Sequence, residues 1–286
     1  MINIQDNLHI VDNIIKTALA EDMPYGDATT ACVIEGNPVS RAVFVAKQQG
    51  VVAGLDVAER VFKLLDAGII FKKRVADGMR AEKGDAIAEV GGNTSAILKG
   101  ERTALNFMQR LSGIATRTSQ YCEKVKGLPV KITDTRKTTP GLRLLEKYAV
   151  KAGGGYNHRF SLSDGILIKD NHIKAAGGIK KAVELARGKA PHTARIEVET
   201  GTLEQVAEAV ESGADIIMLD NMDTALMKQA VEIIGGRALI EASGNVSLDT
   251  VYEIALTGVD LISVGELTHS VKAMDISLKF IDDKSC

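Results

Sequence analysis

Six short apolar runs, each closing on a polar or glycine residue, divide the second half of the chain. They are VKIT (130–133), GILIK (165–169), RIEVET (195–200), DIIMLDN (215–221), ALIEASG (238–244) and DLISVGE (260–266). Between them lie stretches with apolar residues three or four apart, such as Leu203, Val206, Ala207 and Val210. Short apolar runs alternating with amphipathic helices are the pattern of parallel strands joined by helical crossovers. Few folds accept six such units in succession: an α/β barrel does, and so does a doubly wound sheet. No G-x-G-x-x-G turn follows the first run, which disfavours the dinucleotide-binding version of the second. Polar residues gather at the C-terminal ends of the runs (Lys169, Glu199, Asp220, Ser243, Gly265), where parallel α/β folds place their sites. The reading is a barrel.

The chain before this region has a different rhythm. Val11–Ala20 reads as a helix, with Val11, Ile14, Ile15, Ala18 and Leu19 on one side. RAVFVAKQQGVVAG (41–54) reads as strands joined by a turn, and DGMRAEKGDAIAEVGG (77–92) as a glycine-punctuated hairpin. The hairpin has the rhythm of lipoyl and biotinyl carrier domains but lacks the context of their modified lysine. A smaller α+β domain, joined through long helices over 94–126, is the economical account. No Pro- or Ser-rich linker separates the two parts.

Composition excludes several functions. With 45% apolar and 25% charged residues the chain can bury a core, and no run approaches the roughly 18–20 apolar residues of a membrane span. A net charge of −2 supplies no field for nucleic acid or anionic lipid, and 4% aromatics without Trp supply no stacking platform. Three distant cysteines, Cys32, Cys122 and Cys286, make no disulfide framework or Cys-rich zinc site. The N-terminal MINIQDNLHIVDNII lacks a basic patch followed by an apolar block, so a cytoplasmic protein is expected.

Against that neutral background, Arg136–Lys174 carries eight Lys or Arg and three acids. Arg143, Lys147 and Lys151 are four residues apart and read as a solvated helix face. The pairs Arg136-Lys137 and His158-Arg159 sit instead in Gly- and Thr-rich loops, and Lys169 ends an apolar run. Cations converging from three segments call for a strongly anionic ligand, a dicarboxylate or a phosphate ester, whose geometries match the Arg fork. Glu199 and Asp220, at successive strand ends, could hold Mg²⁺, bind sugar hydroxyls, or pair with Lys169 and Arg136. The histidines show no zinc-ligand spacing. Ser243-Gly244-Asn245 and Val264-Gly265-Glu266 end the last two runs, where small residues leave backbone N–H groups free for a phosphate.

DTRKTTPGLRLLEKYAVKAGGGYNHRFSLSDGILIKDNHI resembles the signature block of quinolinate phosphoribosyltransferases. EDMPYGDATT, GERTALNFMQRLSGIAT, IEVET, MLDN, IEASGNVS and ISVGELTHS fall in the order expected of that family, so the resemblance spans nearly the whole chain. It implies an open α/β barrel, here 113–269, with an N-terminal α/β sandwich domain, here 1–112 joined by 270–286. It implies that quinolinate and phosphoribosyl pyrophosphate, with Mg²⁺, give nicotinate mononucleotide, pyrophosphate and CO₂. Carried over by position, Arg136, His158, Arg159 and Lys169 would hold the quinolinate carboxylates, and Thr135 is a further substrate-binding candidate. Lys137 would lie near the pyridine nitrogen and the pyrophosphate. Lys137, Lys169, Glu199 and Asp220 are the catalytic candidates, the last two for the ribose hydroxyls and the Mg²⁺-linked diphosphate. Ser243, Gly244, Asn245 and Gly265 would hold the 5′-phosphate. Arg102 would reach a neighbouring subunit's site in a homodimer or larger homo-oligomer. Three other readings remain: a relative acting on nicotinate, a Schiff-base aldolase using Lys169, and a non-catalytic anion carrier.

Overall fold

The computed structural model describes residues 3–281 and divides into two compact units. One comprises the chain to Ser119, Thr138–Gly154 and the chain from Thr268 onward; the other comprises Gln120–Lys137 and Gly155–Leu267. The early strands are β1 (Val39–Ala46), β2 (Gly50–Val51), β3 (Ile70–Lys73), β4 (Arg80–Ala81) and β5 (Ala86–Asn93). The second unit contains β6 (Lys131–Thr133), β7 (Ile166–Ile168), β8 (Ile196–Thr200), β9 (Ile216–Asp220), β10 (Leu239–Ser243) and β11 (Leu261–Ser263). Last comes β12 (Ile276–Ile281).

In the first unit an antiparallel sheet runs in the order β12-β1-β5-β3. The alternating burial of β1 turns Ala42, Phe44 and Ala46 inward. Phe44 meets Phe62, from the helix Leu55–Leu65, and Phe71 of β3, with ring centroids 5.9 to 6.2 Å apart. Phe62→Ala should therefore cost about 3–5 kcal/mol, read as a lower urea midpoint; an unchanged midpoint would show that this cluster contributes little. The described part of 270–286 places β12 beside β1, from Arg41↔Ile281 to Ala46↔Ile276. Cys286 lies outside the described residues.

Three expectations are corrected here. The stretch 41–54 holds two strands joined by a turn, β1 and β2, as expected, but 77–92 is not a hairpin: β4 pairs with β2 in a sheet of their own, while β5 pairs with β1. The reason lies at Gly50, where a β-carbon would sit 2.7 Å from Met274 Sδ and 2.8 Å from Thr116 Oγ1. The chain here runs flush against the helix Thr94–Lys124, whose Thr116 and Ser112 hydroxyls accept the Val51 and Ala53 N–H groups. Without the hairpin, the likeness to a carrier domain goes too. The segment 138–154, expected in the barrel, belongs to the first unit. Finally, Arg143, Lys147 and Lys151 do not form a solvated face: Lys147 is wholly buried in the helix Arg143–Ala152, beside the equally buried Glu146. Glu146 accepts from Arg110 at 2.5 Å and from the Thr139 N–H, which turns this charged stretch inward.

In the second unit all six apolar runs are strands of one parallel sheet, ordered β6-β11-β10-β9-β8-β7. The edge strands β6 and β7 do not pair with each other, so the barrel is open, and β6 makes a further bridge to Tyr156. Helices Ile179–Lys189, Leu203–Glu211 and Thr224–Ile234 follow β7, β8 and β9. Thr202 and Asp223 cap two of them by accepting the Gln205 and Leu226 N–H groups. Val198, Ile217, Leu219, Ala242 and Ile262 are fully buried and fix the strands. Among the described residues no helix is long and apolar enough to cross a membrane.

Candidate active site

At the C-terminal ends of the parallel strands lies a cavity of about 600 Å³, contained within the second unit. Thr135, Arg136 and Lys137 enter it from the loop after β6, His158 and Arg159 from the loop before β7, and Lys169 from just beyond β7. Glu199 and Asp220 line it from the ends of β8 and β9, and Ser243, Gly244 and Asn245 from the end of β10. Of the residues expected from sequence, Gly265 does not line this cavity; Ser263 does so instead on the same segment. Arg102 is an exposed residue of the helix Thr94–Lys124 in the first unit.

One buried acid assembles the two basic loops. Asp134, with no exposed surface, accepts the His158 backbone N–H at 2.9 Å and the Asn157 side-chain amide at 2.6 Å. Main-chain bonds between Ile132, Asp134 and Tyr156 complete the clamp. The loop bearing His158 and Arg159 is thereby tied to the strand that delivers Arg136. Arg159 donates to the Gly165 carbonyl at 2.8 Å, and burial, together with nearby Arg136, holds its pKa below the usual value. Arg136 Nε is buried and has no hydrogen-bond partner among the described residues. An orphaned guanidinium N–H beside a second guanidinium is costly unless an anion completes it.

Beneath these cations, His158 Nε2 lies 3.2 Å from Glu197 and 3.4 Å from Glu241. Burial opposes the charged imidazolium, but the two carboxylates outweigh it and push the pKa up to about 10. Glu197 is itself raised, chiefly by burial, against the pull of His158. These three groups offer ligand atoms within 4.8 Å of one another, as a metal site would, yet the short contacts to the imidazole already form an ion-paired cluster. Neither acid was singled out from the sequence. The signal was present: each interrupts an apolar strand run, and Glu197 stands two residues before Glu199, on the same strand face. Glu199 accepts from Lys169 Nζ at 2.6 Å, so the ion-pair alternative for that acid is occupied in this state.

The end of β10 is shaped by backbone conformation. Asn221 and Asn245, with φ of 56° and 52°, are the non-glycine residues of positive φ among those described. Between them in space, Gly244 (φ 89°) approaches so closely that a β-carbon would lie 2.6 Å from Asn221 Cγ. Gly244→Ala should displace Asn221 and reduce turnover at least tenfold; near-normal activity would show that the turn tolerates a side chain. His172, by contrast, serves as a cap, its Nδ1 accepting the Lys169 N–H.

Comparison with known proteins follows this geometry closely. The family model described as "Quinolinate phosphoribosyl transferase, C-terminal domain" matches residues 114–279, and the one for the N-terminal domain matches 27–112. A Bacillus subtilis protein named probable nicotinate-nucleotide pyrophosphorylase [carboxylating] is 47% identical over 258 residues, covering 90% of this chain and 89% of that protein. The chloroplastic protein of that name from Arabidopsis thaliana is 47% identical over 286 residues, covering 93% and 81%. Among solved structures, NadC from Streptococcus pyogenes superposes with a TM-score of 0.91 at 45% identity, over 95% of this chain and 97% of that one. The Francisella tularensis nicotinate-nucleotide pyrophosphorylase gives 0.92 at 40% identity, over 96% of each chain.

Proposed function

The chain belongs to the quinolinate phosphoribosyltransferase family, and on that premise we propose how its own residues divide the reaction. It is a decarboxylating phosphoribosyltransferase of NAD biosynthesis, converting quinolinate and phosphoribosyl pyrophosphate to nicotinate mononucleotide, pyrophosphate and CO₂. The observation that carries the assignment of roles is the set of cations Arg136, His158, Arg159 and Lys169 around one cavity, with Arg136 Nε lacking a hydrogen-bond partner among the described residues.

These four groups hold the two ring carboxylates, Lys169 exchanging Glu199 for a substrate oxygen, while Thr135 borders the same subsite. Ser243, Gly244 and Asn245 hold the 5′-phosphate. In the transfer step the pyridine nitrogen pair forms the bond to the anomeric carbon, and the bond from that carbon to pyrophosphate breaks with its electrons leaving on oxygen. Glu199 and Asp220 face the ribose and favour the cationic sugar, while Lys137 faces the departing anion. The ring nitrogen is then positively charged and stabilises the electron pair left on the adjacent carbon when its carboxylate departs as CO₂, and that carbon takes a proton from water to form its C–H bond. Positioning of the ring suffices for the loss of CO₂. Glu199 and Asp220 offer hard oxygen ligands at successive strand ends, which suits Mg²⁺ shared with a substrate diphosphate. When bound, Mg²⁺ supplies charge neutralisation for the diphosphate.

Purified protein with phosphoribosyl pyrophosphate and Mg²⁺ should release pyrophosphate with quinolinate and at least 100-fold more slowly with nicotinate, which has one carboxylate. Equal rates would overturn the dicarboxylate assignment. We place the enzyme in the cytoplasm, supported by Cys32 and Cys122 both being free thiols. Arg102 completes the site of a second subunit in a homo-oligomer. Mixing inactive Arg102→Ala and Lys169→Ala chains should restore part of the activity, because hybrids contain one intact composite site. No recovery after confirmed subunit exchange would count against sharing.

A further inference from the structure

We propose that Asn221 is a positioning residue that couples the turn Ser243–Gly244–Asn245 to the carboxylate of Asp220. The inference rests on the roles assigned above to that turn and that acid. Its basis is a chain of contacts in which Asn221 is the middle member. The Asn221 side-chain amide donates to Asp220 Oδ2 at 2.8 Å, and its Oδ1 accepts from the Asn245 side-chain amide at 3.0 Å. Its backbone N–H donates to the Ser243 carbonyl at 2.9 Å. Three polar groups of one residue, its side-chain NH₂, side-chain oxygen and backbone N–H, are thus committed to the two strand ends, β9 and β10, that border the cavity.

The backbone is arranged to permit this. A left-handed conformation is uncommon for any side-chain-bearing residue, and asparagine is among the few that tolerate it. Gly244 leaves room for the Asn221 side chain where any β-carbon would collide with it. Asn245, the other left-handed asparagine, supplies the donor that completes the bridge. A sequence selected only for a tight turn would use glycine at 221. The side chain there has a bonding role that glycine cannot fill. The consequence for function is that an anion settling on the turn fixes Asn245, Asn245 fixes Asn221, and Asn221 fixes which oxygen of Asp220 faces the sugar.

Asn221→Gly is the informative substitution, because glycine accepts the same φ without strain and removes only the side chain. We expect kcat to fall about tenfold, the KM for quinolinate to stay within twofold, and the thermal midpoint to stay within about 2 °C. Asn221→Asp keeps the acceptor for Asn245 but places a second carboxylate against Asp220, and should be at least as impaired as the glycine variant. Coupling is measured by calorimetric binding of nicotinate mononucleotide to the parent, Asn221→Gly, Asp220→Asn and the double variant. If Asn221 acts through Asp220, the second substitution weakens binding less than twofold in the Asp220→Asn background. Factors that multiply independently, or Asn221→Gly kinetics within twofold of the parent, would overturn the proposal. A parent protein that binds nicotinate mononucleotide but fails to turn over quinolinate would defeat the assigned reaction instead, and the binding cycle would still decide the coupling.

Discussion

Arg136→Ala is expected to lower kcat/KM for quinolinate by about 10²–10³-fold. A charge-assisted hydrogen bond contributes about 1.5–3 kcal/mol, and a fork that meets a carboxylate with two of them contributes more than one. Among the described residues Arg136 Nε is a buried cationic donor without a hydrogen-bond partner, so its interaction free energy is available to substrate rather than spent within the fold. The KM for phosphoribosyl pyrophosphate should stay within about twofold. Arg136→Lys should not restore activity, because an ammonium lacks the planar fork and loses the Nε position. Initial-rate measurements varying each substrate in turn check this. A variant in which both KM values rise together would point to a general loss of the cavity instead.

His158→Ala should produce the largest loss of stability. Removing the imidazolium leaves Glu197 and Glu241, both nearly fully buried, facing each other without their shared cation. Breaking a buried pair in this way costs about 3–5 kcal/mol, seen as a lower urea midpoint at pH 7. The same cluster makes stability depend on pH. The folded His158 pKa, about 10, lies above its ordinary 6.5, so the contribution is complete below about pH 6.5 and is lost as pH rises through about 10. Glu197, also raised, acts in the same direction. The urea midpoint of the parent should therefore fall steadily from pH 7 to 10. A flat profile, or a His158→Ala variant as stable as the parent, would show that the cluster is not an ion-paired one.

Much of this architecture was legible in the residues. The six apolar runs became the six parallel strands, because short and mostly buried segments of three to five residues fit a parallel sheet and have few other homes. The basic loops were visible as a local excess of charge, and the resemblance supplied their roles. What escaped the reading depended on long-range partners. Lys147 has the spacing of an exposed face, and only the buried Glu146 and its Arg110 partner show that this helix turns its charges inward. Residues 77–92 have hairpin rhythm, yet β4 pairs with β2, where Gly50 lies against Thr116 and Met274, and β5 pairs with β1 in another sheet. Asp134, Glu197 and Glu241 do not announce themselves by motif, since each works by holding another residue in place. Asn221 is visible in the sequence only as the end of the run DIIMLDN and of the stretch MLDN; its role rests on a left-handed φ that sequence does not print.

The central claim is that one cavity performs both ribosyl transfer and decarboxylation on a pyridine dicarboxylate. The direct measurement is release of labelled CO₂ from quinolinate carrying the label in its 2-carboxylate, with and without phosphoribosyl pyrophosphate, in the presence of Mg²⁺. Release that requires phosphoribosyl pyrophosphate and matches nicotinate mononucleotide one to one is the predicted result. Folded protein that releases no label, or releases it without phosphoribosyl pyrophosphate, would contradict the claim.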